Sequence, residues 1–174
     1  MQTNTRAAQP ADIPPRVTEG GLDDPHVIDL LRVHLATCRA NTALGSAHAL
    51  DLGDLGAPDI RFWTAWDGET LLGCAALRRL TPIHGEVKSM HTAAIARRQG
   101  VGSLLLETII AAARANGLER LSLETGSWDH FRPAVALYSS HGFVVCGPFG
   151  SYREDPNSIF MTMDLRDARP GLRV

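Results

Sequence analysis

The residues best suited to chemistry stand together in Arg97-Arg98-Gln99-Gly100-Val101-Gly102, two arginines followed by two glycines one residue apart. Before them runs Glu86-Val87-Lys88-Ser89-Met90-His91-Thr92, a strand by its length and its β-branched end. After them, from Ser103 to Asn116, Leu104, Leu105, Ile109, Ala112 and Ala113 recur on one side of a helix. Glycine at a strand-to-helix junction lets the chain turn tightly and present bare N–H groups beside the positive end of the helix dipole. A junction of that kind holds phosphate or pyrophosphate. The wording of the string narrows the ligand. A Walker loop needs four residues between its glycines and then Gly-Lys-Ser/Thr, which the chain lacks. A dinucleotide fingerprint needs a third glycine where Leu105 stands. The loop therefore reads as an anion cradle of another kind, for a phosphorylated cofactor.

Other chemistry-bearing side chains are dispersed. Strict alternation puts Glu86, Lys88, Met90 and Thr92 on one strand face and Val87, Ser89 and His91 on the other. A glutamate and a lysine in a central strand are costly to bury. That end of the strand either faces a cleft, opens to solvent or pairs the two charges with each other. Trp128 follows a strand end in Gly126-Ser127-Trp128-Asp129-His130-Phe131 and reads as exposed, on the kind of loop that builds sites. Trp63 and Trp66 read as core or rim aromatics. Glu124, Asp129 and Asp155 offer negative charge to a cationic ligand, although Arg153-Glu154-Asp155 is equally readable as a solvated run. The histidines have no ligand-like spacing, so no metal is expected.

These residues need a scaffold, and the chain spells one out. Arg16–Glu19 reads as a first strand, and Asp24-Pro25 as the cap and first turn of a helix carrying Val27, Leu30, Leu31, His34, Leu35 and Cys38 at helical spacing. Residues 41–58 are irregular, a loop or short helix. Ile60–Trp66 and Leu71–Leu77 flank Asp67-Gly68 as a hairpin, and Pro82–Gly85 turns into the central strand. Gly117 closes the long helix, Leu121–Thr125 is a strand, Pro133–His141 a helix, and Phe143–Cys146 and Ser158–Met163 are the last strands. The expected fold is α/β (α+β), a mixed and largely antiparallel twisted sheet of six or seven strands with helices on both faces. One domain is expected at 16–165, between a flexible leader at 1–15 and a flexible tail at 166–174.

Composition sets the outer limits. A chain of 174 residues with 44% hydrophobic content supports one domain with a real core. A formal charge of −2 gives no general attraction to nucleic acid. No apolar run reaches membrane-spanning length, and Met1–Pro15 lacks the apolar segment of a signal peptide. Cys38, Cys74 and Cys146 are single, separated and odd in number, which suits a reducing cytoplasm and reads as buried small hydrophobes. A homodimer is plausible at this size.

Taken with a second string, the glycine loop resembles the acyl-CoA pyrophosphate loop of the GNAT N-acetyltransferase superfamily, Arg/Gln-x-x-Gly-x-Gly/Ala, filled here by Arg97, Gly100 and Gly102. That superfamily also carries Ala-x-x-Leu-Tyr-x-x-x-Gly-Phe, matched by Ala134, Leu137, Tyr138, Gly142 and Phe143. The resemblance spans about Arg16 to Leu165. The strings His48-Ala49-Leu50-Asp51-Leu52, Leu123-Glu124-Thr125-Gly126-Ser127 and Asp155-Pro156-Asn157-Ser158 resemble its YsnE-type bacterial branch.

The resemblance implies an acetyl-CoA-dependent N-acyltransferase moving an acetyl group directly to a primary amine of a small molecule or an accessible protein amine. A non-catalytic acyl-CoA-binding or sensory module is the competing reading. Coenzyme A would be held by the backbone of Met90, His91 and Thr92, by Arg97, Arg98, Gln99, Gly100, Val101, Gly102 and Ser103, and by Tyr138. Tyr138 would assist the departing thiolate, unless it is a packing tyrosine. Glu86, eleven residues before Arg97, is the implied general base, with His34, His48 and His91 as alternatives. The acceptor pocket is expected among His34, His48, Glu124, Trp128 and Asp155.

Overall fold

Alternating apolar residues pair the strands into one seven-stranded sheet in the order β1-β2-β3-β4-β5-β7-β6. The structure, a computed structural model, describes residues 14–42 and 49–166. The strands are β1 (Arg16–Glu19), β2 (Ile60–Asp67), β3 (Thr70–Thr81), β4 (His84–Thr92), β5 (Arg120–Gly126), β6 (Val144–Cys146) and β7 (Ser158–Asp164). The helices are α1 (Pro25–Ala40), α2 (Leu52–Leu55), α3 (Val101–Ala115) and α4 (Arg132–Ser140). Every neighbouring pair is antiparallel except β4 and β5, which run parallel. The expected mixed sheet with helices on both faces is the one observed. His48 and both termini beyond these limits lie outside the described residues.

Two cores flank the sheet. Leu105, Leu106, Ile109 and Ala113 of α3 are fully buried against Ala75, Leu77, Val87, Leu121 and Leu123, and Tyr138 of α4 joins the same cluster. Each such leucine or isoleucine contributes roughly 1.5–3 kcal/mol by burial. On the opposite face Val27 and Leu31 of α1 and Leu55 of α2 cover Phe62, Cys74 and Ala76. Asp24 caps α1 by accepting from the His26 N–H, with Pro25 in the first turn. Asp51 and Asp54 close a reciprocal capping box on α2, inside the segment that reads as irregular. Strand β4 starts at His84, two residues earlier than the sequence suggests, because the turn is confined to Pro82 and Ile83.

Two irregularities place the site. The pairing of β4 with β5 stops at Glu86↔Ser122. Beyond that point the two strands part, and the β5-facing edge of β4 has no strand beside it. The second irregularity is a bulge: Cys74 is opposite His91 but Ala76 is opposite Lys88, so β4 carries one extra residue. Ser89 sits there with φ +49, a strained conformation for a residue with a side chain. The extra residue reverses the alternation and corrects the sequence expectation. Lys88 and His91 share the α1 face with their partners Ala76 and Cys74, whereas Met90 packs into the α3 core.

Candidate active site

The loop after β4 folds as its glycines require. Gly100 caps α3 from the left-handed region at φ +81, and Arg98 adopts φ +60 two residues earlier. No side chain caps the helix, and its first backbone bond runs from Leu104 N–H to Gly100 C=O. The N–H groups of the first turn are left without helical partners. Nothing lies within 4 Å of where a Cβ on Gly100 would stand, so the approach to the loop is open.

A cleft of about 770 Å³ runs along this loop and into the gap between the strands. Met90, His91, Thr92, Arg97, Arg98, Gly100, Val101, Gly102, Ser103 and Tyr138 all line it. Gln99 does not line the cleft; its amide donates to the Ile95 carbonyl at 2.8 Å. His130, Phe131 and Pro133 from the segment before α4 supply the opposite wall.

At the inner end of the cleft a smaller cavity of about 110 Å³ opens where β4 and β5 diverge. His34, Cys38, Met90, Phe131, Ala134 and Tyr138 line both spaces, so the two are continuous through them. Tyr138 is 7% exposed, and its ring meets Phe143 edge-on at 5.9 Å. Burial raises the Tyr138 hydroxyl well above the ordinary tyrosine range, so it keeps its proton at neutral pH. Lys88, Ser89 and Glu124 add polar groups to the same small cavity. Ser89 Oγ is the one buried side-chain oxygen or nitrogen without a hydrogen-bond partner among the described residues. Glu124 accepts from Ser158 Oγ at 2.7 Å.

A third space of about 490 Å³ adjoins it through Ala49 and Lys88 and is lined by Arg78, Glu86, Phe149, Tyr152, Arg153, Glu154 and Asp155. Glu86 is found here, 2% exposed, and does not line the cavity that holds Tyr138. The Tyr152 hydroxyl donates to Glu86 Oε1 at 2.6 Å, and Lys88 Nζ lies 2.8 Å from that hydroxyl and 3.4 Å from Glu86. The Glu–Lys pairing considered from sequence is therefore present, with a tyrosine between the charges. Burial first, then the charge of Glu86, drives the Tyr152 hydroxyl well above its ordinary range.

His34 of α1 reaches across to β4, its Nδ1 3.3 Å from that of His91. Burial is the first cause that lowers both imidazoles to about 4; the charges of His91 and Lys88 add to it at His34, and those of Arg97 and His130 at His91. Both rings are neutral at pH 7, so one donates and the other accepts. Cys38 is half-buried beside His34, Sγ to ring nitrogen 3.8 Å, and lines the cavity instead of vanishing into the core. Cys74 is fully buried as expected, and Cys146 is half-buried. Trp128 stands 52% exposed, apart from all three spaces, and Asp155 lines only the outermost.

Sequence reasoning missed Tyr152 and gave Phe131 no role. The unexplained Glu86–Lys88 pair was the signal that a third polar partner had to exist. Phe131 had a subtler mark in Gly126, because a Cβ there would lie 2.2 Å from the Phe131 ring. The glycine makes room for an aromatic wall.

A sheet that opens between two parallel strands, with a glycine-capped helix at the mouth of the gap and a tyrosine at its inner end, defines an acyltransferase of the GNAT fold. The chain belongs to the acetyltransferase (GNAT) family, whose pattern it matches over residues 30–143. It is 50% identical over 139 residues to the uncharacterised N-acetyltransferase YsnE of Bacillus subtilis (strain 168), covering 80% of this chain and 92% of that one. It is 46% identical over 121 residues to the IAA acetyltransferase of Azospirillum brasilense, covering 69% of this chain and 78% of the other. A GNAT family acetyltransferase from Elizabethkingia anophelis, solved with acetyl-CoA bound, superimposes with TM-score 0.63 at 20% identity over 86% of this chain and 97% of that one.

Proposed function

We propose that this chain is an acetyl-CoA-dependent N-acetyltransferase that transfers directly, in a ternary complex, to a primary amine of a small molecule or an accessible protein amine. The observation that carries the reading is the continuity of the 770 Å³ cleft with the 110 Å³ cavity through Tyr138. One ligand can then touch the helix N-terminus at one end and present a reactive group to a buried hydroxyl at the other. The residues fit coenzyme A. The open N–H groups of Val101, Gly102 and Ser103, with Arg97 and Arg98 beside them, suit a pyrophosphate. The unpaired edge of β4 at Met90–Thr92 suits the amide groups of a pantetheine arm. Bound there, acetyl-CoA supplies an acetyl thioester.

The chain's own groups supply the rest. Backbone N–H groups beyond the bulge are fixed donors for developing negative charge, each able to contribute roughly 3 kcal/mol in a preorganised site. Tyr138, protonated at neutral pH, is placed to hydrogen-bond the departing sulfur. Phe131 and the α1 wall keep water from the gap. The acceptor enters from the side of Tyr152 and Asp155, whose mixed charges and aromatic wall suit an amine carrying a ring or a second polar group.

Calorimetric titration with acetyl-CoA tests the cofactor, and release of free thiol over a panel of tyramine, spermidine and lysine methyl ester tests the transfer. Saturable binding with thiol release from at least one amine is expected. Absence of binding by folded protein at millimolar acetyl-CoA overturns the whole reading. Tight binding with no transfer to any amine favours the non-catalytic acyl-CoA-binding module instead.

A further inference from the structure

We infer that the carboxylate of Glu124, seated with the hydroxyl of Ser89 in the cavity between β4 and β5, receives the acceptor ammonium and takes its proton. This rests on the N-acetyltransferase reading above and names the group that activates the amine.

Three observations converge on that cavity. Glu124 lines it and Glu86 does not. Strand β4 pairs with β5 only as far as Glu86↔Ser122, so Glu124, two residues further along β5, looks into the gap where an acetyl group would lie. Glu86 is instead closed in by Tyr152 at 2.6 Å and Lys88 at 3.4 Å, so it neutralises its own surroundings before any substrate arrives. The third observation is Ser89. Its hydroxyl is buried, it lines the same cavity, and it has no hydrogen-bond partner among the described residues. An orphaned buried hydroxyl is destabilising, and an incoming N–H removes that cost. The strained φ of +49 at Ser89 is what aims it there. The cavity thus holds a carboxylate and a hydroxyl for the N–H groups of an amine, beside the tyrosine that serves the sulfur.

Glu124 is held for the task. Ser158 Oγ donates to its Oε1 at 2.7 Å from the neighbouring strand, which fixes the carboxylate's rotation. The titratable groups facing it from the packed elements are Lys88 of β4, His34 and Cys38 of α1, Tyr138 of α4 and Tyr152. His34 is neutral and engaged with His91 at 3.3 Å, which makes it a wall of the site and not the proton acceptor.

The proton account closes. The ammonium gives one proton to Glu124 and becomes a nucleophile. Its nitrogen then bonds to the acetyl carbon as the carbon–sulfur bond breaks. The second proton lost by nitrogen reaches sulfur through the Tyr138 hydroxyl, which is restored as it donates. Glu124 returns its proton to water, so one proton is released per acetamide and one leaves on the thiol.

The test compares Glu124→Gln with Glu86→Gln, using the panel amine that the wild-type protein acetylates fastest. Glu124→Gln is expected to lower kcat/KM for the amine by about a hundredfold to ten-thousandfold at pH 7, with the acetyl-CoA dissociation constant unchanged. Its deficit shrinks as pH rises toward the pKa of the free amine, because deprotonation in solution replaces the missing base. Calorimetric binding of the amine to the CoA-loaded protein weakens about tenfold in Glu124→Gln and hardly changes in Glu86→Gln. Glu124→Asp, which keeps the charge, retains the wild-type form of the pH profile and stands in if the glutamine variant does not fold. A Glu124→Gln protein with wild-type rate and pH profile overturns the assignment while leaving the acetyltransferase reading intact. So does a Glu86→Gln protein that alone shows the deficit and its relief at high pH. A wild-type protein that binds acetyl-CoA and acetylates no amine removes the parent reading, and this assignment goes with it.

Discussion

Replacing Lys88 with methionine keeps the aliphatic stem and removes the ammonium, with its charge beside Glu86 and its hydrogen bond to the Tyr152 hydroxyl. The two side chains are 9% and 2% exposed and 3.4 Å apart. Breaking a buried ion pair by removing one partner costs about 3–5 kcal/mol, because the survivor is left charged in a poor solvent. Here Tyr152 still donates to Glu86 at 2.6 Å, which places the expected loss near the lower end, about 3 kcal/mol. For a chain of this size that is a fall in Tm of roughly 6–12 °C. Adding Glu86→Gln removes the stranded charge and keeps an acceptor for the Tyr152 hydroxyl, so the double variant recovers most of the loss. Urea denaturation of the wild-type protein, both single variants and the double variant measures the cycle. A Lys88→Met protein within 1 kcal/mol of wild type, or a purely additive cycle, would refute the reasoning.

Tyr138→Phe keeps the ring against Phe143 and removes the hydroxyl, so turnover falls roughly tenfold to a thousandfold while acetyl-CoA affinity holds. Gly100→Val does the reverse, since a Cβ enters the open approach at φ +81 and the dissociation constant rises first. Steady-state kinetics beside cofactor titration separates the two, and unchanged turnover in Tyr138→Phe with chemistry rate-limiting removes the hydroxyl from the mechanism. The His34–His91 pair sets a pH response in the fold. Burial holds both imidazoles down at about 4 in the native state, against the ordinary 6.5 of an exposed histidine, so the unfolded chain binds more protons between those values. Their contribution to stability is fully present above 6.5 and is lost as pH falls toward 4. Imidazole resonances in an NMR titration follow this directly, and midpoints near 6.5 for both rings contradict it.

The elements and the glycine loop were legible because they depend on local rules. Asp24-Pro25 starts a helix wherever it stands, Asp67-Gly68 turns a hairpin, and Gly100 with Gly102 presents open backbone to an anion regardless of what packs behind. The Ala134–Phe143 string likewise fixed Tyr138 on a helix face, and the tertiary structure put that face at the gap. The acceptor side was not legible in the same way. Period-two alternation places Met90 with Glu86 and Lys88, but one extra residue at Ser89 exchanges the faces, and a bulge is set by the pairing of two strands, which neither strand's sequence states. Glu86 is the base that the resemblance implies and, beside Lys88, one half of a charged pair; that Tyr152, 66 residues later, folds onto it is not stated by its own strand. Glu124 reads as one acidic residue among several. It becomes the carboxylate of the cavity because β4 and β5 stop pairing two residues before it, and where strands part is decided by the whole sheet.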